Sequence, residues 1–326
     1  MSVSLNLRTW RGPLLGLALR LALSLALGLA LLPPTLAGAA EISFGVISPA
    51  AGAAPEEAGL RAAIRHSDAD NLGFVLVNGI KTAAEPCSDQ LYLDRKILLD
   101  SAKNGLVVSL ASGDWLGCKN HAGRSLALER LSRLRELFFS EDFSLGASRI
   151  PLIRQSTAPK FRSYAENARW EFGDLLFATI NLPANNNHYL SDAGRNSEFE
   201  DRQIANRHWL QRLFDHATYK KLNGIVLFCD GNPLWPPPPR AADLRGKYDG
   251  FADIRQRLIA ASKRFPGKVL VVHGPASAER RAAEILWHGN LGALAVHPGW
   301  LKITARDDDP KLFSIAAETA SAAANF

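Results

Sequence analysis

Methionine is all but missing: the sole one among 326 residues is the initiator, which excludes a methionine-lined binding groove. Cysteine is scarce. Three residues, Cys87, Cys118 and Cys229, allow one intramolecular bridge and one leftover, and no C-x₂-C pair is there to build a structural zinc site. No stretch beyond residue 40 is long and apolar enough to span a bilayer, which takes about 20 apolar residues. A clustered basic face, the usual mark of a nucleic-acid binder, is not evident in the sequence. Gly-x-Gly-x-x-Gly, a P-loop, Gly-x-Ser-x-Gly and His-Glu-x-x-His are all absent, which removes the dinucleotide-binding fingerprint, Walker-type nucleotide hydrolysis, the nucleophile elbow and the zincin helix.

Acids are missing from the first forty residues, whereas Arg8, Arg11 and Arg20 lie there. The chain beyond them therefore carries +3 rather than +6. The basic start, the apolar run Leu14 to Leu32 and the small residues Ala37-Gly38-Ala39-Ala40 have the layout of a secretory leader cleaved after Ala39 or Ala40. After Arg20 only 12 uncharged residues remain, too few for a span. The expected organisation is a leader over 1–39, one domain over 40–315 and a loose tail over 316–326. The expected location is the periplasm or the medium, where disulfides persist. Cys229 lies in the apolar run Gly224–Cys229 and is expected to be buried and free. Cys87 and Cys118 each follow a strand by a few residues, in polar loops, and are expected to pair.

Hydrophobic residues at 47% and charged residues at 21% allow a packed core and argue against disorder. Short β-branched runs at Ile42–Ile47, Phe74–Val77 and Leu106–Leu110 alternate with helical periodicity at Glu56–His66, Leu91–Ala102 and Leu126–Phe139. That is the rhythm of a layered α/β sheet. Trp170–Phe172 and Leu175–Ile180 flank Gly173-Asp174, a two-residue hairpin turn. Helices over Phe199–Thr218 and Phe251–Arg264 enclose the strand Gly224–Cys229, and Val269–Val272 follows. Ala293–Val296, Trp300–Thr304 and Leu312–Ile315 read as a closing antiparallel set. Pro236–Pro239, with Trp235 beside it, reads as an exposed polyproline loop and a partner site. Asp307-Asp308-Asp309 reads as a solvated turn, and the other tryptophans as core or rim.

Open α/β sheets bind ligands at the carboxyl ends of their strands. Here those tips are Ser48-Pro49, Asn78-Gly79-Ile80-Lys81, Ser112-Gly113-Asp114-Trp115, Asn181 through Asn187, Asp230-Gly231-Asn232 and His273-Gly274-Pro275-Ala276-Ser277. Their order, with Cys118 following Trp115 and with Glu166-Asn167-Ala168-Arg169-Trp170, resembles the calcineurin-like metallophosphoesterases, in particular a secreted bacterial branch. The resemblance spans about Ile42 to Ile315. It implies a four-layer α/β/β/α sandwich of two mixed sheets flanked by helices, and two-metal hydrolysis of phosphoesters. The ligand positions have changed. The family's first Asp falls at Pro49, its bridging Asp at Gly79, its Asn at Gly113 and its final His at Ser277. A His or Gln ligand falls near Asp230, and His273 is retained.

Proline and glycine side chains donate nothing to a metal, and neutral carbonyls cannot offset two dications about 3.5–4 Å apart. The resulting expectation is a pseudoenzyme without a cofactor, binding an unknown small molecule or protein in a remodelled cleft that keeps Asn78, Lys81, Asp114, Asp230 and His273. The alternative is an active phosphomonoesterase or phosphodiesterase with one Zn, Mn or Fe ion on Asp114, Asp230 and His273. Neither reading calls for nucleic acid, and the sequence sets no oligomeric state.

Overall fold

The computed structural model describes residues 41–48, 57–191, 193–234, 248–274 and 283–316. The expected leader, Pro49, Trp235, the proline run, Ser277 and all but the first residue of the tail lie outside them.

Strands β1 (Glu41–Ser48), β2 (Val75–Asn78) and β3 (Leu106–Ser109) run parallel, joined by helices α1 (Glu57–Asp68) and α2 (Asp89–Asp100). Helix α3 (Ala127–Phe138) packs beside α2. Two late strands, β11 (Gly299–Arg306) and β12 (Phe313–Ile315), add antiparallel to β1, giving the order β12-β11-β1-β2-β3. The second sheet has the order β4 (Ile153–Arg154), β5 (Ala168–Phe172), β6 (Leu175–Thr179), β7 (Gly224–Cys229), β8 (Lys268–His273), β10 (Leu291–Ala295), β9 (Ile285–His288). Its hairpin, β5 (Ala168–Phe172) and β6 (Leu175–Thr179), closes through Gly173-Asp174, with Phe172 opposite Leu175 and Gly173 at φ +53°. Helices α4 (Ser197–Lys220) and α5 (Ala252–Arg264) carry the chain from β6 to β7 (Gly224–Cys229) and from β7 to β8 (Lys268–His273), all parallel.

Strand alternation builds the layers. Phe44, Val46, Leu76, Phe177, Val226, Phe228, Leu270 and Val272 face between the sheets. Ile47, Val75 and Val77 face α1–α3. Ile225, Leu227, Val269 and Val271 face α4 and α5. The inter-sheet layer is rich in rings, with Phe74 centred 4.8 Å from Phe177 and 5.2 Å from Phe44. Each such pair adds about 0.5–1.5 kcal/mol beyond burial. The expected α/β/β/α sandwich of two mixed sheets is the one observed.

One strand assignment needs correcting. β10 (Leu291–Ala295) does not join the closing antiparallel set; it lies parallel to β8 in the seven-stranded sheet. Its other edge pairs with β9 (Ile285–His288), a short strand that the sequence pattern misses, as it misses the two-residue β4 (Ile153–Arg154). Only β11 and β12 close the five-stranded sheet, with Asp307-Asp308-Asp309 turning between them. Among the described residues no helix is long and apolar enough to cross a membrane.

Candidate functional site

The tips of β2, β3, β6, β7 and β8 meet at one end of the sandwich. Where the inter-sheet alternation runs out of apolar residues, it continues into Ser48, Asn78 and Asp230, which are buried. These polar groups replace apolar core, so each needs a partner.

Asp114 finds three. It is fully buried; Oδ1 accepts from the backbone N–H of Ile80 (2.9 Å) and Lys81 (3.3 Å), and Oδ2 from that of Ala111 (2.8 Å). One carboxylate thus staples the loop after β2 to the loop after β3. Burial pushes its pKa up to about 7, against the pull of those amides and of Lys81. Lys81 turns inward as well: its Nζ donates to the carbonyls of Thr82 (2.8 Å) and Glu85 (3.0 Å), and burial lowers its pKa. The same loop is clamped from α2 by buried Arg95, which donates to the Ile80 carbonyl at 3.1 Å and pairs with Glu85. The expected Cys87–Cys118 disulfide is present and joins the two loops covalently, Cα to Cα 5.7 Å. Cys229 is free and buried.

Asp230 reaches across the two sheets. Its Oδ2 accepts from the N–H of Ser112 after β3 (2.6 Å) and from that of Ala184 after β6 (2.8 Å). Burial raises its pKa. Gly274 packs against it: a Cβ there would lie 2.9 Å from the Asp230 carbonyl, 3.3 Å from Oδ1 and 3.5 Å from Asn78 Nδ2. Asn78, Asp230 and Gly274 therefore lie side by side at the strand tips, and Asn78 Oδ1 is buried with no hydrogen-bond partner among the described residues. Gly79, where the sequence resemblance would put a bridging Asp, has φ +93° and donates to the Ser109 carbonyl at 2.8 Å. An Asp there would be strained as well as displaced.

His273 faces elsewhere. It lies opposite Cys229 in register, on the face of β8 covered by helices, whereas Asp230 alternates to the inter-sheet face. Its Nδ1 contacts the Gly274 carbonyl at 2.6 Å, and burial, with His297 nearby, lowers its pKa to about 4. The structure does not gather Asp114, Asp230 and His273 into one donor set; among the described residues no three His, Cys, Asp or Glu side chains form a group able to hold a metal ion. The donor chemistry points the same way, because three of the four carboxylate oxygens of Asp114 and Asp230 are engaged by backbone amides.

The loop after β6 is more organised than an asparagine run suggests. Asn186, Asn187 and His188 are successive left-handed residues at φ 45°, 54° and 56°. Fully buried Arg202 on α4 holds them, donating to the Asn187 carbonyl at 2.8 Å and to its side-chain oxygen. Glu198 binds Arg202 Nε at 2.7 Å and His188 Nδ1 at 2.8 Å, and those partners lower its pKa to about 2 despite burial. The His188 ring meets the buried Trp115 ring edge-on at 4.9 Å. Glu198 and Arg202 carry no sequence signal of this role beyond their one-turn spacing. The Glu166-Asn167 segment serves the same end: Glu166 takes a two-pronged bond from Arg135 at 2.8 and 2.6 Å and a third from Asn181 at 2.9 Å.

No family model and no curated protein matches the sequence. Among solved structures the chain is similar to that of PhoD, with a TM-score of 0.51 and 14% identity over 84% of this chain. The match spans 65% of PhoD's length. At this identity the likeness speaks for the fold, and that fold is phosphoesterase-like.

Proposed function

We propose that the chain is an exported protein of phosphoesterase-like fold that does not hydrolyse phosphoesters through a two-metal centre, and that the strand-tip space beside Asn78, Asp230 and Gly274 binds a small molecule or a protein partner. The observation that carries this reading is the orientation of the two acids. Asp114 and Asp230 tie neighbouring loops together through amide hydrogen bonds. Gly79 and Gly113 offer no donor, so the residues present do not fit a dinuclear site. The disulfide supports an oxidising compartment, periplasmic or extracellular. The test is turnover of aryl phosphate monoesters and diesters by the exported protein with Mn²⁺, Zn²⁺ or Mg²⁺. The expected rate is that of buffer. Turnover abolished by Asp230→Ala or His273→Ala would establish instead a phosphoesterase with an atypical metal centre.

A further inference from the structure

On the far side of the seven-stranded sheet, α4 and α5 leave a furrowed surface. Three adjoining concavities of about 400, 500 and 420 Å³ are chained through Arg207, Gln211 and Arg257 and then through Gln256 and Ala260. Lys160, Arg207, Arg257, Lys263 and Arg264 line them, against two acids, Asp215 and Asp253. One oxygen of Asp253 already serves two guanidinium groups, Arg207 at 2.8 Å and Arg257 at 3.0 Å. Arg255 also lines the furrow and pairs with Asp249 outside it. Without Arg255 the face carries +3, equal to the whole net charge of the chain beyond residue 40. The sequence does not reveal this patch, because its cations come from three separate segments.

Two aliphatic side chains stand exposed among these cations: Ile204 at 47% and Ile259 at 38%. The phenylalanines in the lining, Phe161 and Phe214, are buried, and the half-buried His208 ring is already packed on Phe161 at 4.6 Å, so among the described lining residues no fully exposed ring is offered for stacking on a base. Cations around a few exposed aliphatic residues match a membrane surface bearing anionic headgroups.

We propose that this face docks on an anionic phospholipid surface, its Lys and Arg side chains meeting headgroup phosphates and Ile204 and Ile259 entering the interfacial layer. This inference is independent of the strand-tip reading. The test is sedimentation of the exported protein with vesicles of phosphatidylcholine alone or with about 30% phosphatidylglycerol, at about 50 and 300 mM salt. Binding is expected only to the anionic vesicles and is expected to fall steeply with salt. Lys263→Glu/Arg264→Glu, both exposed and outside the Asp253 clamp, should lower partitioning at least about 25-fold, at about fivefold per cation lost, with an unchanged melting temperature. Lys103→Glu/Lys119→Glu, in segments packed on the other sheet, should leave binding intact. Equal binding to neutral vesicles, no binding to either, or an unaffected Lys263/Arg264 variant would overturn the proposal. So would calorimetric binding of inorganic pyrophosphate without vesicle binding, which would identify a small-anion site.

Discussion

Asp230 separates a structural carboxylate from one kept for a ligand. Both amides it accepts converge on the same oxygen, Oδ2. Asn at this position keeps one carbonyl oxygen, enough for both bonds, and sheds a buried charge that burial already disfavours. Asp230→Asn is therefore expected to lie within about 1 kcal/mol of the parent chain. Ala supplies no acceptor and leaves the Ser112 and Ala184 N–H groups facing each other's loops unpaired. At about 1–3 kcal/mol for each stranded donor, Asp230→Ala should lose about 2–6 kcal/mol. For a domain of this size that lowers the melting midpoint by at least about 4 °C. The assay is thermal unfolding of metal-free protein near neutral pH, followed by circular dichroism. A residue retained for a ligand would behave in the opposite way: removing it would relieve buried charge, and Ala would melt at or above the parent temperature. That outcome, or an Asn variant as unstable as the Ala variant, would refute the reasoning.

Reducing the Cys87–Cys118 bridge, which closes a loop over 31 positions, should cost about 3–4 kcal/mol by chain entropy; unfolding of the Cys87→Ser/Cys118→Ser variant measures it, and an unchanged midpoint would contradict it. His273 should make the fold acid-sensitive: held neutral with a pKa near 4 against 6.5 when unfolded, it contributes stability that is complete above pH 6.5 and is lost as pH falls toward 4, about 3 kcal/mol in all. Asp114 has the opposite sign over much of that range, so the signature is the difference between parent and His273→Phe unfolding curves, and a flat difference from pH 7 to 4 would exclude it. Gly274→Ala should lower the midpoint, since its methyl would press on the Asp230 carbonyl at 2.9 Å; an unshifted melt would show that the tip of β8 can move aside.

Much of the sandwich was legible in the sequence because its strands are buried on both faces. Gly224–Cys229 is six residues of apolar sequence between turn signals, and it is β7 without change of boundary. Helix α4 extends the expected Phe199–Thr218 by two residues at each end, where Ser197 and Lys220 are polar and give no periodic signal. Sheet membership was harder. Leu291–Ala295 reads as a strand from composition, but its parallel pairing with β8 depends on the path of the chain, which local periodicity does not encode. β9 alternates between half-buried and exposed residues at a sheet edge, and β4 has two residues.

At the strand tips, residue type was legible and direction was not. Asp114, Asp230 and Lys81 stand where ligands could be sought, yet the two acids are claimed by amides of other strand-tip loops and Lys81 by carbonyls of its own loop. The loop Asn186–His188 carried a partial signal, because asparagine tolerates left-handed backbone better than other non-glycine residues. The buried Arg202 that fixes it lies on another element.

The most direct measurement of the central claim is the metal content of the purified protein by mass spectrometry, after equilibration with Zn²⁺, Mn²⁺ and Fe²⁺ and removal of the free ions. With the acids of the strand tips engaged by backbone amides, the account predicts well under one ion per chain. One or two tightly held ions per chain, released together with the loss of Asp114 or Asp230, would contradict it.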